Sequence, residues 1–311
     1  MAEQPPAPSQ PSPKSPRVHA PARERNPQPV APAPRKGEQA TPAGSAAAAP
    51  ARRKPGAVLC YAHRGARAHA PENTLAAFTL AFELGADCIE CDVQRSRDGQ
   101  LVIIHDDMVD RTTDGTGPVA GMRFAELRSL NAGVRFRRRQ QIPTLGETLA
   151  LVARRGAALN LEIKGESPEA AIATAEAVEP VLRTLDEVMR GRVLVSSFDH
   201  PALAVLKQRL PWLRVAALFG NEWRERDLIA PAQALGAEAI HPGVALLTPA
   251  LIARAHAAGL RVNVWTANRR AVIRRLIAEG VDGLFSDYPE RVVAAREAAA
   301  TTTAASATRP R

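Results

Sequence analysis

From residue 57 to residue 300 the sequence repeats one unit eight times: a short apolar run, then an amphipathic stretch with apolar residues at helical spacing. AVLCYA (57–62) precedes NTLAAFTLAFELG (73–85), which closes on Gly85, and CIECDV (88–93) is followed after a gap by TLGETLALVARRG (144–156). LNLEIK (159–164) leads into SPEAAIATAEAVEPVLRTL (167–185), RVLVSS (192–197) into HPALAVLKQRL (200–210), and RVAALF (214–219) into a weaker helix near 225–235. EAIHPG (238–243), RVNVWT (261–266) and GLFSDY (283–288) each open a further unit. Apolar runs this short read as parallel strands buried on both faces. Eight strand-then-helix units over roughly 240 residues predict an α/β fold of the TIM type, a closed (β/α)8 barrel. An open doubly wound sheet is disfavoured, because no Gly-x-Gly-x-x-Gly follows the first strand.

Three segments fall outside this rhythm. Residues 1–56 hold 14 of the 26 prolines and no Phe, Trp or Tyr, so they cannot bury enough apolar surface to offset their ordering entropy and are expected to be a disordered Pro/Ala-rich tail. Residues 299–311, AATTTAASATRPR, read as a second, frayed end, which leaves 57–298 as the barrel domain. Between strand 2 and helix 2 lies an insertion, about 94–143, containing QLVIIHDD, RTTDGTGPV and the short helical FAELRSL. A loop of that length at the C-terminal face of a barrel is where function concentrates.

The net charge of +9 loses its meaning once located: residues 1–56 carry +6, Arg309 and Arg311 add +2, and the remainder is only +1. No specific nucleic-acid partner is therefore expected, although the basic tail suits weak, salt-sensitive contact with an anionic surface. Cys60, Cys88 and Cys91 each fall in a strand and read as small buried apolar residues. Cys88 and Cys91 would point to opposite faces, and no second pair completes a zinc site. The N-terminus has no apolar signal region and no stretch approaches membrane-spanning length, so a soluble, cytoplasmic protein without stable membrane insertion is expected.

Five polar residues sit where a barrel keeps its chemistry. His63 directly follows strand 1; Glu90 and Asp92 are two apart in strand 2 and so share a face; His105 ends LVIIH in the insertion; Glu162 interrupts strand 3, with Lys164 two further on. Carboxylates inside apolar strands are costly, and three converging on one mouth repel each other unless a cation joins them. All-oxygen ligation points to Mg2+ or Ca2+, with Mn2+ also possible, rather than zinc. The competing reading is that Glu90 or Asp92 forms an ion pair with Arg64, Arg95 or Lys164. Arg64 and Gly65 after His63 offer a guanidinium for phosphate and a flexible backbone, and either aspartate after His105 could orient its ring. His69, His200, His241 and His256 lack such company and are expected to be structural, His241 being the least clear of them.

The segments AHRGARAHAPENTLAAF, GADCIECDVQRSRDGQLVIIHDDMVDRTTDGTG, IPTLGETL, NLEIKG, NVWTAN and GLFSDYP resemble the glycerophosphodiester phosphodiesterases, of the bacterial cytosolic type, in order across 57–297. The resemblance implies His63 and His105 as the acid/base pair, Glu90, Asp92 and Glu162 as ligands of one divalent cation, and Arg64 and Lys164 as phosphate or substrate contacts. It further implies a small glycerophosphodiester as substrate, cleaved to sn-glycerol 3-phosphate and an alcohol. Glu72, Asn73 and Thr74 are expected to form the loop and N-cap of helix 1. Trp265 is expected at the mouth or, nearly as readily, in the core. Two alternatives stay open. A lipid-directed, lysophospholipase D-like or phospholipase C-like enzyme calls for an exposed apolar rim, which the sequence does not display. A non-catalytic binding module calls for loss of one of the five central residues, and none is lost.

Overall fold

The structure is a computed structural model that describes residues 57–307. The Pro-rich tail expected over 1–56 lies outside the described residues, as do residues 308–311. In chain order the elements are β1 (Leu59–Ala62), α1 (Leu75–Glu83), β2 (Cys88–Arg95), β3 (Leu101–Ile103), α2 (Phe124–Ser129) and α3 (Leu145–Arg155). There follow β4 (Ala158–Ile163), α4 (Pro168–Arg183), α5 (Glu187–Arg190), β5 (Val193–Ser197), α6 (His200–Arg209) and β6 (Arg214–Phe219). The last third comprises α7 (Ile229–Ala234), β7 (Ala239–Pro242), α8 (Pro249–Ala257), β8 (Arg261–Val264), α9 (Arg270–Ala278), β9 (Gly283–Ser286) and α10 (Pro289–Ala307).

Eight strands pair in parallel in the ring order β1-β2-β4-β5-β6-β7-β8-β9, and β9 returns to β1 with Ala62 opposite Ser286. The barrel is closed, so it has no exposed edge. β3 stands apart from this ring: it pairs antiparallel with β2, setting Val93 against Ile103, and forms a hairpin that anchors the start of the insertion.

Period-two alternation divides the buried residues between two layers. From β2, Ile89, Cys91 and Val93 point outward and pack with Leu159, Leu161 and Ile163 of β4 against Phe78 of α1, Leu149 of α3 and Val178 of α4. Each such fully buried aliphatic side chain contributes about 1.5–3 kcal/mol. Cys88 points the other way, into the barrel, where it meets Tyr61 and Phe285, so the two cysteines of the Cys-x-x-Cys pair do face apart. All three thiols are free and buried. The interior also holds polar pairs, Asn160 Nδ2 donating to Ser196 Oγ at 2.9 Å and Asn263 Nδ2 meeting His241 Nε2 at 2.9 Å. Burial pushes the His241 imidazole down to about 3, so it stays neutral in the core as a structural histidine.

Local signals account for the helix starts. The Thr74 hydroxyl accepts from the Ala77 amide as N-cap of α1, and Thr144 with Glu147 forms a reciprocal capping box on α3. One boundary differs from expectation: α10 runs on to Ala307 through the segment read as a frayed end. Its alanines are strong helix formers, and they propagate a helix already nucleated against the barrel. No helix among the described residues is long and apolar enough to cross a membrane.

Candidate active site

The polar residues singled out in the sequence converge at the C-terminal mouth of the barrel. Their placement follows from strand register. Asp92 is paired with Glu162 across the β2–β4 ladder, Glu90 lies one pleat below Asp92 on the same face, and all three side chains point inward. One carboxylate oxygen from each lies within 4.8 Å of the other two. Glu90 Oε1 and Asp92 Oδ1 are buried and accept no hydrogen bond from any described residue; Glu162 Oε1 has the Lys164 ammonium 3.2 Å away.

Burial and repulsion from Asp92 and Glu162 push the Glu90 carboxyl well above its usual range. Burial, again reinforced by Asp92, lifts Glu162 to about 7, against the pull of Lys164. Burial works against the Asp92 carboxylate too, yet Arg64, His105 and Lys164 together hold it below its usual range. The trio thus resists full ionisation as it stands, and the orphaned oxygens are an all-oxygen donor set of the kind a hard divalent cation takes. The ion-pair alternative is met only in part. Arg64 Nε stands 3.4 Å from Asp92 and Lys164 contacts Glu162, but each leaves the facing carboxylate oxygens of Glu90 and Asp92 without a partner.

An imidazole stands on either side, each held by a carboxylate. His63 Nδ1 lies 2.7 Å from Asp287 Oδ1, and His105 Nδ1 lies 2.6 Å from Asp106 Oδ1. Ionised carboxylates only accept, so Nδ1 donates in both pairs and each Nε2 keeps its lone pair. The two supports differ in closeness of charge. Asp287 accepts from Asn268 Nδ2 at 2.8 Å while its backbone N–H donates to Asn268 Oδ1 at 2.9 Å, and the Arg67 guanidinium stands 3.7 Å off. Asp106 is held by the Arg111 guanidinium, which also reaches both oxygens of Glu72. Burial pushes both imidazoles below the ordinary histidine range; Arg64 adds to it at each, and Lys164 at His105. Lys164 Nζ is 3.3 Å from His105 Nε2 and donates to that lone pair.

Arg64 follows His63 in a left-handed conformation, as does Gly65, at φ 55° and 80°. Its backbone N–H donates to Glu90 Oε2 at 2.7 Å while its guanidinium reaches Glu72. Gly65 tolerates no side chain, since a Cβ there would lie 2.7 Å from Ala77. Trp265 lines the chamber, its Nε1 donating to the His241 carbonyl at 2.8 Å. Phe198, which follows β5 and is 42% exposed, meets the Trp265 ring edge-on at the mouth. The enclosed space is about 250 Å³.

Five contributors to the site were not read as such in the sequence. Asp287 sits in GLFSDYP after β9, and Asn268 after NVWTA; Arg111 reaches the site from the insertion; Asn73, expected only in the loop before α1, also donates from Nδ2 to Asp92 Oδ2 at 2.8 Å. Phe198 likewise gave no signal beyond its place at a strand end. Asp106 proves to be the aspartate that orients His105.

Known proteins share this arrangement of the chain. The model of the Glycerophosphoryl diester phosphodiesterase family matches residues 63–291. A glycerophosphodiester phosphodiesterase of Caldanaerobacter subterraneus is 36% identical over 242 residues, covering 76% of this chain and 96% of that one, and one of Bacillus altitudinis is 34% identical over 245 residues, covering 76% and 97%. Among solved structures, an Oleispira antarctica phosphodiesterase in complex with the product sn-glycerol-3-phosphate superposes with a TM-score of 0.72 at 32% identity, covering 78% of this chain and 97% of that one. A glycerophosphodiester phosphodiesterase from Agrobacterium tumefaciens superposes at 0.63 with 31% identity, covering 76% and 99%.

Proposed function

The chain belongs to the glycerophosphodiester phosphodiesterase family and is a phosphoric diester hydrolase, and from that premise we propose that it cleaves small glycerophosphodiesters to sn-glycerol 3-phosphate and an alcohol by His/His acid–base catalysis. The observation that carries this reading is the pair of carboxylate-oriented imidazoles, His63 and His105, flanking the buried carboxylates Glu90, Asp92 and Glu162.

Those three carboxylates fit one divalent cation, Mg2+ or Ca2+ with Mn2+ also allowed, because Glu90 Oε1 and Asp92 Oδ1 lack a donor and one oxygen from each of the three gathers within 4.8 Å of the others. When bound, it supplies positive charge beside the phosphoryl oxygens. The chain's own groups do the rest. Arg64 and Lys164 add cationic donors for the phosphate, in a site where burial strengthens each interaction. One histidine Nε2 removes a proton from the attacking oxygen, either water or the substrate's neighbouring glycerol hydroxyl with water then opening the cyclic phosphate, and the other, protonated, delivers one to the departing alcohol as the phosphorus–oxygen bond breaks; each role is worth roughly 10²–10⁴-fold in rate. Asp287 and Asp106 hold the two rings in the tautomer and orientation that this needs. Trp265 and Phe198 supply apolar walls against which the substrate packs and water is excluded.

Residues 57–298 carry the reaction in this reading, so deletion of 1–56 leaves turnover unchanged. The proposed setting is the cytoplasm, where buried free thiols such as Cys60, Cys88 and Cys91 persist. The test is release of glycerol 3-phosphate from a panel of glycerophosphodiesters and lysophospholipids, with and without divalent metal. Activity confined to lysophospholipids would replace this reading with the lipid-directed one, and no release from any member would overturn it.

A further inference from the structure

Outside the chamber, a groove of about 670 Å³ runs between α1 and the end of the insertion. Leu75 and Leu80 of α1 form its apolar side, each only partly buried, with Pro71 also in the lining; the one acid that lines it, Glu83, has the Arg155 guanidinium 3.7 Å away. Phe136 and Arg138 face them from the segment Arg135-Phe136-Arg137-Arg138-Arg139. This segment is a built turn. Residues Val134–Phe136 form one turn of 3-10 helix, Arg137 is left-handed at φ 52°, and the Arg138 amide donates back to the Gly133 carbonyl at 3.3 Å. Gly133 permits it, because a Cβ there would lie 1.6 Å from the Arg138 carbonyl oxygen.

The turn presents four exposed arginines. Arg139 donates to the Ser129 carbonyl, whereas the side chains of Arg135, Arg137 and Arg138 make no hydrogen bond or ion pair among the described residues. No acidic residue occurs between Glu126 and Glu147. Elsewhere several surface arginines are matched, as Arg128 is with Glu147, Arg209 with Glu176 and Arg214 with Glu238. Arg269, Arg270 and Arg274, at the N-cap and in the body of α9, are exposed and unpaired among the described residues as well, but of these two groups only the 135–139 turn sets its arginines beside a partly apolar groove.

We propose that the 135–139 turn and the adjoining groove dock the protein on the surface of an anionic lipid bilayer. The arginines meet phosphate head groups, Phe136 enters the boundary between head groups and acyl chains, and the groove between Phe136 and Leu75/Leu80 takes apolar chain. Charge complementarity selects the anionic partner. The apolar groove beside the charge favours lipid over a nucleic-acid backbone, which would leave Leu75 and Leu80 facing water and would need basic residues continued along a track.

The experiment is co-sedimentation of the full-length chain with phosphatidylcholine vesicles, with and without phosphatidylglycerol, at low and high salt. Binding is expected only to the phosphatidylglycerol vesicles, weakened by salt. Each arginine contributes roughly fivefold in partitioning, so the quadruple variant R135S/R137S/R138S/R139S should lose well over tenfold. Phe136→Ser should lower the binding that survives high salt, while both variants keep wild-type turnover of soluble glycerophosphocholine and unchanged circular dichroism. Undiminished binding by the quadruple variant would overturn the proposal in favour of the basic residues 1–56. Capture of RNA or polyglutamate but not of vesicles would overturn it in favour of a different partner.

Discussion

His63 and Asp287 are 224 residues apart in the chain, and their side chains meet at 2.7 Å. Barrel closure brings them together: Ala62 of β1 is in register with Ser286 of β9, so the residue that follows each strand arrives at the same point on the rim. Replacing Asp287 by Asn preserves shape but lets an amide N–H face Nδ1, which favours the wrong tautomer. Asp287→Asn should lower kcat for glycerol 3-phosphate release by about 10²-fold or more with KM little changed, and Asp287→Glu should recover part of it. A wild-type kcat in Asp287→Asn would remove Asp287 from the machinery.

His63→Ala and His105→Ala should each reduce turnover by about 10²–10⁴-fold while the protein stays folded, since each removes one proton-transfer partner. Steady-state kinetics with circular dichroism as control decides this, and near-normal activity in either variant refutes the acid–base assignment.

Glu90 is an acid already reluctant to ionise among Asp92 and Glu162. Glu90→Gln should therefore leave the thermal stability of metal-free protein equal or higher, while abolishing both activity and the rise in Tm that Mg2+ or Ca2+ gives the wild type. Calorimetric titration and thermal melts check both, and chelation by EDTA should silence the wild type reversibly.

Acid should unfold the protein partly through Glu72. Burial favours its neutral form, but Arg111, Arg64 and Arg67 hold the carboxyl at about 2, below its ordinary 4.5. A folded-state value below the unfolded one means that this carboxylate adds stability above about 4.5, and that the contribution fades as pH falls toward 2. Glu72→Gln should cost about 3 kcal/mol at neutral pH and flatten the fall of Tm across that window. Parallel melting curves for the two proteins would contradict it.

Gly65→Ala should destabilise the fold by about 3 kcal/mol in urea unfolding, because the new Cβ collides with Ala77 and the backbone is left-handed there. Displacement of Arg64 should lower activity as well.

The barrel and the inner face of β2 were legible because both are periodic: the eightfold strand–helix alternation specifies the ring, and spacing by two puts Glu90 and Asp92 on one side. His105 was legible as a polar residue closing an apolar run, though not the β3 hairpin that anchors it, since LVI is too short to separate strand from loop. Asp287, Asn268 and Arg111 stayed hidden because their partners come from distant parts of the chain. Asp287 was in principle recoverable, for a closed barrel makes its first and last strands neighbours. Asn73 was assigned to the helix start, which it does adjoin, and its bond to Asp92 crosses to another strand that local reasoning does not reach. The reach of α10 was missed because an alanine-rich end satisfies helix and coil alike when its docking is unknown.

The seam between β1 and β9 has a further meaning for how this enzyme comes into being. A chain growing from the ribosome holds His63 early, yet the carboxylate that orients it belongs to the last stave. Turnover should thus be silent in every form cut short of β9 or only half closed, and its onset would mark the moment at which the ring shuts.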